Sequence, residues 1–193
     1  GNPLRKKFQS SVSTKESLEG RDLRLLIIGG SQGAQALNEA IPDALASLKK
    51  IEVKHQTGTA MQEQVAKRYQ ELGVKAEATA FIQDMVSAYQ WADIIVCRAG
   101  AMTISEVAAM GLPAILVPLP NAIDDHQMAN ARYLSESGAG FILPQKELNA
   151  SNLVALISKA KQEWSLMTKA AKQCAKLDAT EVVANICISE ARP

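Results

Sequence analysis

Aromatic side chains are scarce in this 193-residue chain, at 4% of the sequence, too few to build stacking platforms for single-stranded nucleic acid. Charge of one sign is lacking too. The 21 basic and 20 acidic residues leave a net +1, and no basic run offers nucleic acid or a lipid surface an electrostatic reason to bind. The three cysteines, Cys97, Cys174 and Cys187, are odd in number and have no CxxC spacing. They are expected as free, buried thiols in a reducing compartment rather than as a disulfide framework. Apolar stretches such as 25–28 and 113–120 fall far short of the ~20 residues a membrane helix needs. No signal peptide opens the chain, which starts GNPLRKKF without an initiator Met and reads as the continuation of a longer polypeptide. No His/Cys/carboxylate cluster has metal-ligand spacing, so no metal and no cofactor is expected.

What is present is an alternation of two kinds of segment. Hydrophobic residues make up 47%, enough for one core of ordinary α/β type. Residues 1–21 are polar and aperiodic and are read as an interdomain linker; residues 22–193 are read as one domain. Leu23–Gly29 is a near-continuous apolar run, the mark of a strand covered on both faces. Leu37, Ile41, Ala44, Leu45 and Leu48 then recur at helical spacing. The same alternation follows: strands at 51–55, 76–82, 93–97, 114–117 and 140–143, and helices at 61–72, 86–91, 103–110 and 126–135. Beyond Ser151 only helical periodicity remains. About six strands separated by helices predict a doubly wound, mostly parallel Rossmann-like sheet with helices on both faces. In such sheets ligands bind outside the carboxyl ends of the strands, so four loops are candidates for function.

The first loop, Gly29-Gly30-Ser31-Gln32-Gly33-Ala34, lets the backbone turn tightly and approach an anion at a helix start. It reads equally as a structural turn. Its spacing is not GxGxxG, no P-loop lysine follows, and the second strand ends Lys54-His55-Gln56 without the acid an NAD site wants. The second loop, Arg98 to Glu106, has small residues and a helix expected to begin at Thr103. Its first amides would suit a diphosphate, and Glu106 would suit two ribose hydroxyls; Thr103-x-x-Glu106 is also a capping box that needs no ligand. The third follows Val117, where two prolines stop the strand and Asp124-Asp125-His126-Gln127 leads into a helix. His126 and Gln127 suit neutral sugar hydroxyls, while either aspartate could be an N-cap. The fourth, Phe81-Ile82-Gln83-Asp84-Met85, offers a flat apolar surface and main chain for a planar base, or plain core packing. His55 is read as a local hydrogen-bonding residue.

Taken together and in order, GNPLR, GGSQGA, FIQDM, CRAGAMTISEVAAMGLP and DDHQMANA resemble the C-terminal half of the MurG family of bacterial peptidoglycan N-acetylglucosaminyltransferases, members of the GT-B superfamily. The resemblance runs over essentially the whole chain. It implies a GT-B half that binds the donor UDP-GlcNAc for an inverting transfer of GlcNAc to lipid I, giving lipid II. Ser31 and Gln32 would lie near the sugar and phosphates, and the Ile82 main chain would read uracil. Ala101, Met102 and Thr103 would line the diphosphate and nucleoside, and Glu106 would hold the ribose. His126 and Gln127 would meet the GlcNAc hydroxyls, with Arg5 at the cleft between domains. It further implies that the acceptor-binding N-terminal domain, the membrane contact and the catalytic base lie outside this chain, so that it binds donor without turnover. The full enzyme would be peripheral on the cytoplasmic face of the inner membrane. The alternatives are a stand-alone UDP-sugar-binding subunit, or half of another GT-B enzyme such as a UDP-GlcNAc 2-epimerase.

Overall fold

The computed structural model describes residues 2–9, 17–30, 34–120 and 125–191. After a short helix α1 (Lys6–Gln9), strands and helices alternate: β1 (Leu23–Ile28), α2 (Gln35–Leu45), β2 (Ile51–Gln56), α3 (Gln62–Glu71), β3 (Ala76–Thr79) and α4 (Met85–Trp91). The second half continues with β4 (Ile94–Cys97), α5 (Ala101–Met110), β5 (Ala114–Leu116), α6 (His126–Glu136) and β6 (Gly140–Ile142), then α7 (Ala150–Gln162), α8 (Trp164–Cys174) and α9 (Ala179–Glu190). The six strands form one sheet in the order β3-β2-β1-β4-β5-β6, and every neighbouring pair is parallel. The order reverses between β1 and β4, and the crevice at such a switch point is where this architecture takes ligands.

The period-2 alternation of the strands sorts the core into two layers. Leu26, Ile28, Ile95, Cys97, Ala114 and Leu116 face one side, with Ile104, Val107 and Ala108 of α5 and Ala131 and Leu134 of α6. Leu25, Ile27, Ile94, Val96, Ile115 and Val117 face the other, with Leu37 and Ile41 of α2 and Leu153 and Ile157 of α7. Burial on both sides explains why β4 reads as an unbroken apolar run and β1 as one interrupted only by Arg24. Helix α5 stops at Gly111, whose φ of 65° is the left-handed cap that releases the chain into β5.

Three differences from the sequence reading have physical reasons. The polar segment at the start carries two core residues: Leu4 and Phe8 are buried against α4 and α5, and the ring of Phe8 meets Tyr89 edge-on at 5.8 Å. Asp93 is not the first strand residue but an anchor below the sheet. It is fully buried, accepts both arms of the Arg21 guanidinium at 2.6 and 2.7 Å and the Arg24 amide at 2.9 Å, and its carbonyl receives the Trp164 indole at 3.0 Å. Cys97 and Cys174 are buried free thiols, but Cys187 is exposed, because α9 buries only Ala179 and leaves the rest of its surface to solvent. Among the described residues no helix is long and apolar enough to cross a membrane.

Candidate functional site

An open cleft of about 650 Å³ lies over the carboxyl ends of β1, β4 and β5, lined by Gly29, Gly30, Gln35, Glu39, Arg98, Gly100, Thr103, Leu119, Gln127 and Gln145. Its floor is the start of α5. This helix begins at Ala101, two residues earlier than the sequence suggests, with Gly100 as N-cap and no side-chain cap. Thr103 is therefore inside the first turn, and the capping-box reading of Thr103-x-x-Glu106 is incorrect. A helix leaves its first amides without intrahelical acceptors, and here no side chain of the described residues supplies one to Ala101, Met102 or Thr103. That end of the helix carries partial positive charge toward the cleft.

A residue the sequence reading passed over adds a full charge. Arg98, directly after β4, donates to the carbonyls of Val117 (3.1 Å) and Pro118 (3.3 Å) and to Gln145 Oε1 (2.6 Å). These acceptors are neutral, and among the described residues no carboxylate forms an ion pair with it. Burial pushes its pKa down, the sign of a cation held without compensation. Its signal in the sequence was a lone cation at the end of a buried strand, inside the CRAGAM motif.

Glu106, one turn further along α5, caps nothing. Its Oε2 accepts from the buried Tyr89 hydroxyl at 2.9 Å, and its Oε1 lies 3.6 Å from the guanidinium of Arg5. Burial raises the Glu106 pKa, opposed by the Tyr89 hydrogen bond and then by Arg5. Arg5 also sits over the Phe8 ring at 5.3 Å and borders the depression formed by Gln83, Asp84, Met85 and Val86. It thus joins Glu106 to the loop after β3. Asp84 caps α4 in that loop, accepting from the Ser87 amide and hydroxyl, which hold its carboxyl below the usual range.

Ile82 lies in this loop, beyond β3, which ends at Thr79. Its amide donates to Gln56 Oε1 at 2.9 Å, and Gln56 Nε2 donates to the Gly30 carbonyl at 2.9 Å. One buried side-chain amide at the end of β2 so fastens the loops that follow β1 and β3. Gly30 has a φ of 97°, a conformation that glycine adopts without strain. Nothing but a polar residue at a strand end signalled Gln56 in the sequence. Gln127 lines the cleft and its Oε1 accepts from the Leu119 amide at 3.0 Å; His126 opens α6 beside it. Asp125 holds the N-cap position with a φ of 52° but makes no side-chain cap. Ala101 and Met102 stand on the outer side of the α5 start: the Ala101 carbonyl accepts from Asn2, and Met102 is half exposed. Ser31, Gln32 and the alternative N-cap Asp124 lie outside the described residues. His55 is away from the cleft. It is buried and hydrogen-bonded through Nδ1 to the Tyr69 hydroxyl at 3.0 Å, and burial lowers its pKa to about 3.

Fold and cleft define a class: a parallel, doubly wound α/β domain whose switch-point crevice presents helix-start amides and a guanidinium that no carboxylate pairs among the described residues, an arrangement suited to an anion. Comparison with known proteins narrows the class. Residues 24–188 match the model of the glycosyltransferase family 28 C-terminal domain, and the chain belongs to that family. It is 48% identical over 198 residues to the UDP-N-acetylglucosamine–N-acetylmuramyl-(pentapeptide) pyrophosphoryl-undecaprenol N-acetylglucosamine transferase of Azotobacter vinelandii, a match covering 100% of this chain and 55% of that protein. The Methylococcus capsulatus enzyme of the same name is 46% identical, at 99% and 55% coverage. The chain thus spans about half the length of the curated relatives it matches. Among solved structures it resembles Acinetobacter baumannii MurG, with a TM-score of 0.83 and 38% identity over 90% of this chain and 54% of that one. A UDP-GlcNAc 2-epimerase from Neisseria meningitidis shares the fold at a TM-score of 0.58 and 11% identity, covering 89% of this chain and 45% of that one.

Proposed function

We propose that this chain is the donor-binding half of an inverting glycosyltransferase that moves GlcNAc from UDP-GlcNAc to the lipid-linked muramyl sugar of peptidoglycan synthesis. The observation that carries the reading is the start of α5, without a side-chain cap, beside Arg98, whose guanidinium meets only neutral acceptors among the described residues, both on the cleft. A pyrophosphate would supply acceptors to the amides of Ala101, Met102 and Thr103 and a counter-charge to Arg98, which have none among the described residues. Glu106 would then accept from the ribose hydroxyls, the loop at Ile82 would lie along the uracil, and His126 and Gln127 would face the hexose. Arg5 would border the nucleoside from the segment that precedes β1.

In the transfer, the acceptor's C4 hydroxyl oxygen bonds to the anomeric carbon while the bond to the β-phosphate oxygen breaks. The leaving UDP takes the electron pair, and the hydroxyl proton passes to a base outside this chain. The share of this domain would be electrostatic: helix-start amides and a guanidinium fixed beside the cleft would stabilise the charge that develops on the leaving oxygen. Acceptor binding, the base and contact with the cytoplasmic face of a membrane belong, in this reading, to sequence beyond the chain, and residues 22–193 form the donor domain, with Leu4 and Phe8 of the preceding stretch packed into its core.

Calorimetry with UDP-GlcNAc, UDP-glucose and NAD tests the proposal. Binding is expected for the uridine nucleotides, tightest for UDP-GlcNAc, with no heat from NAD. A chain that ignores uridine nucleotides is not a donor domain. A product assay with labelled UDP-GlcNAc separates transfer from 2-epimerisation: this chain is expected to yield neither product at an appreciable rate.

A further inference from the structure

The buried Tyr89 hydroxyl has a function its ring does not need. The ring packs against Phe8 and fills the layer under α4, which a phenylalanine would do equally well. The hydroxyl meets Glu106 Oε2 at 2.9 Å, and the shielded phenol, its pKa raised well above normal by burial and then by the Glu106 charge, stays protonated and can only donate there. Glu106 needs such a donor. Its carboxylate is 13% exposed, and burial favours the neutral acid, which is a poorer acceptor for two hydroxyls. The charged neighbour, Arg5, is 68% exposed at 3.6 Å, so solvent screens most of its effect.

We propose that Tyr89 is a positioning residue for nucleotide recognition: its hydroxyl holds one Glu106 oxygen, fixes the plane of the carboxylate and turns the remaining lone pairs to the ribose diol. The proposal rests on the donor-binding reading and adds to it the group that prepares the carboxylate. Tyr89 touches no substrate; it acts through Glu106.

The test compares UDP with 2′,3′-dideoxy-UDP, which lacks both hydroxyls, by calorimetry on the wild type, Tyr89→Phe, and a variant carrying 4-aminophenylalanine at position 89, which keeps a donor. Tyr89→Phe is expected to bind UDP about tenfold more weakly, the scale of one hydrogen bond to a charged group, and dideoxy-UDP unchanged. The amino variant is expected to restore much of the preference for the ribose form. In a Glu106→Ala background, Tyr89→Phe is expected to change nothing further. Equal losses for the two nucleotides, an unchanged UDP affinity, a donor-bearing variant no better than phenylalanine, or an added loss on top of Glu106→Ala would each overturn the proposal. Should the wild type bind UDP and still not distinguish it from the dideoxy form, the ribose contact at Glu106 falls with it. A wild type that binds neither would instead remove the donor-domain reading.

Discussion

At the scale of single residues, Glu106 and His55 show two distinct states of a shielded polar group. Glu106 is ionisable, partly screened and provided with a donor; His55 is sealed under α3 with Nδ1 on Tyr69 and no hydrogen-bond partner for Nε2 among the described residues. The sign of its effect on stability follows from the lowered pKa. Between the ordinary value of 6.5 and about 3 the unfolded chain binds a proton at this position that the folded chain refuses. The stability linked to His55 is therefore complete above 6.5 and is lost as pH falls, at roughly 1.4 kcal/mol per pH unit within that window. Denaturant titrations from pH 7 to pH 4 are expected to show this slope, and His55→Gln to flatten it; a slope unchanged by the substitution would assign the acid sensitivity to other groups. The sequence announced His55 only as a histidine on a strand, and its partner Tyr69 lies on the next helix, beyond what local spacing can connect. Glu106 was legible as a candidate, but its competing cap role was settled only by where α5 begins.

At the scale of elements, apolar periodicity located nearly every strand and helix, because strands covered on both faces and helices with one buried stripe leave strong signals. It failed at boundaries where a side chain, not a pattern, decides. Asp93 looks like the first residue of DIIVC, yet its carboxylate is committed to Arg21 and the Arg24 amide, and its carbonyl to Trp164 of α8. The anchor ties β1, β4 and α8 together at the end of the sheet opposite the cleft. Asp93→Leu leaves Arg21 and the Arg24 amide without their acceptor and is expected to cost about 3–5 kcal/mol, read as a shift in the midpoint of urea unfolding with an unchanged slope. A loss under 1 kcal/mol would mean that solvent takes over these donors. The nucleotide binding proposed for the far ends of the strands is expected to survive the change under conditions where the variant is folded. The brace at Gln56 was equally hidden from the sequence: β1 and β3 are not neighbours, and only the three-dimensional order β3-β2-β1 puts one glutamine between their loops.

At the scale of the whole molecule, every strand points its carboxyl end the same way, so loops from distant parts of the chain converge on one rim. A ligand that engages this rim in the folded state alone stabilises it by mass action. UDP-GlcNAc at a hundred times its dissociation constant is expected to add about 2.7 kcal/mol, visible as a rise in the thermal midpoint, whereas NAD at the same concentration is expected to leave it unchanged. The overall architecture was open to sequence reading because it rests on repetition, and the location of the rim because parallel sheets dictate it. The proposal for what the rim binds rests on the motifs in combination, since each loop taken separately reads as well as a turn, a cap or core packing.

The burial of Leu4 and Phe8 bears on where the chain can be cut. A trimmed version starting at Leu23 would keep all six strands, yet it would strip the cover from Tyr89, take the guanidinium away from Glu106 and delete Arg21 from its aspartate. A unit that keeps these contacts therefore includes the stretch ahead of the first strand. Anyone excising this half for screening or crystallisation should place the junction upstream of Asn2, since a tidier cut at the sheet would yield a protein wounded at both ends of its strands.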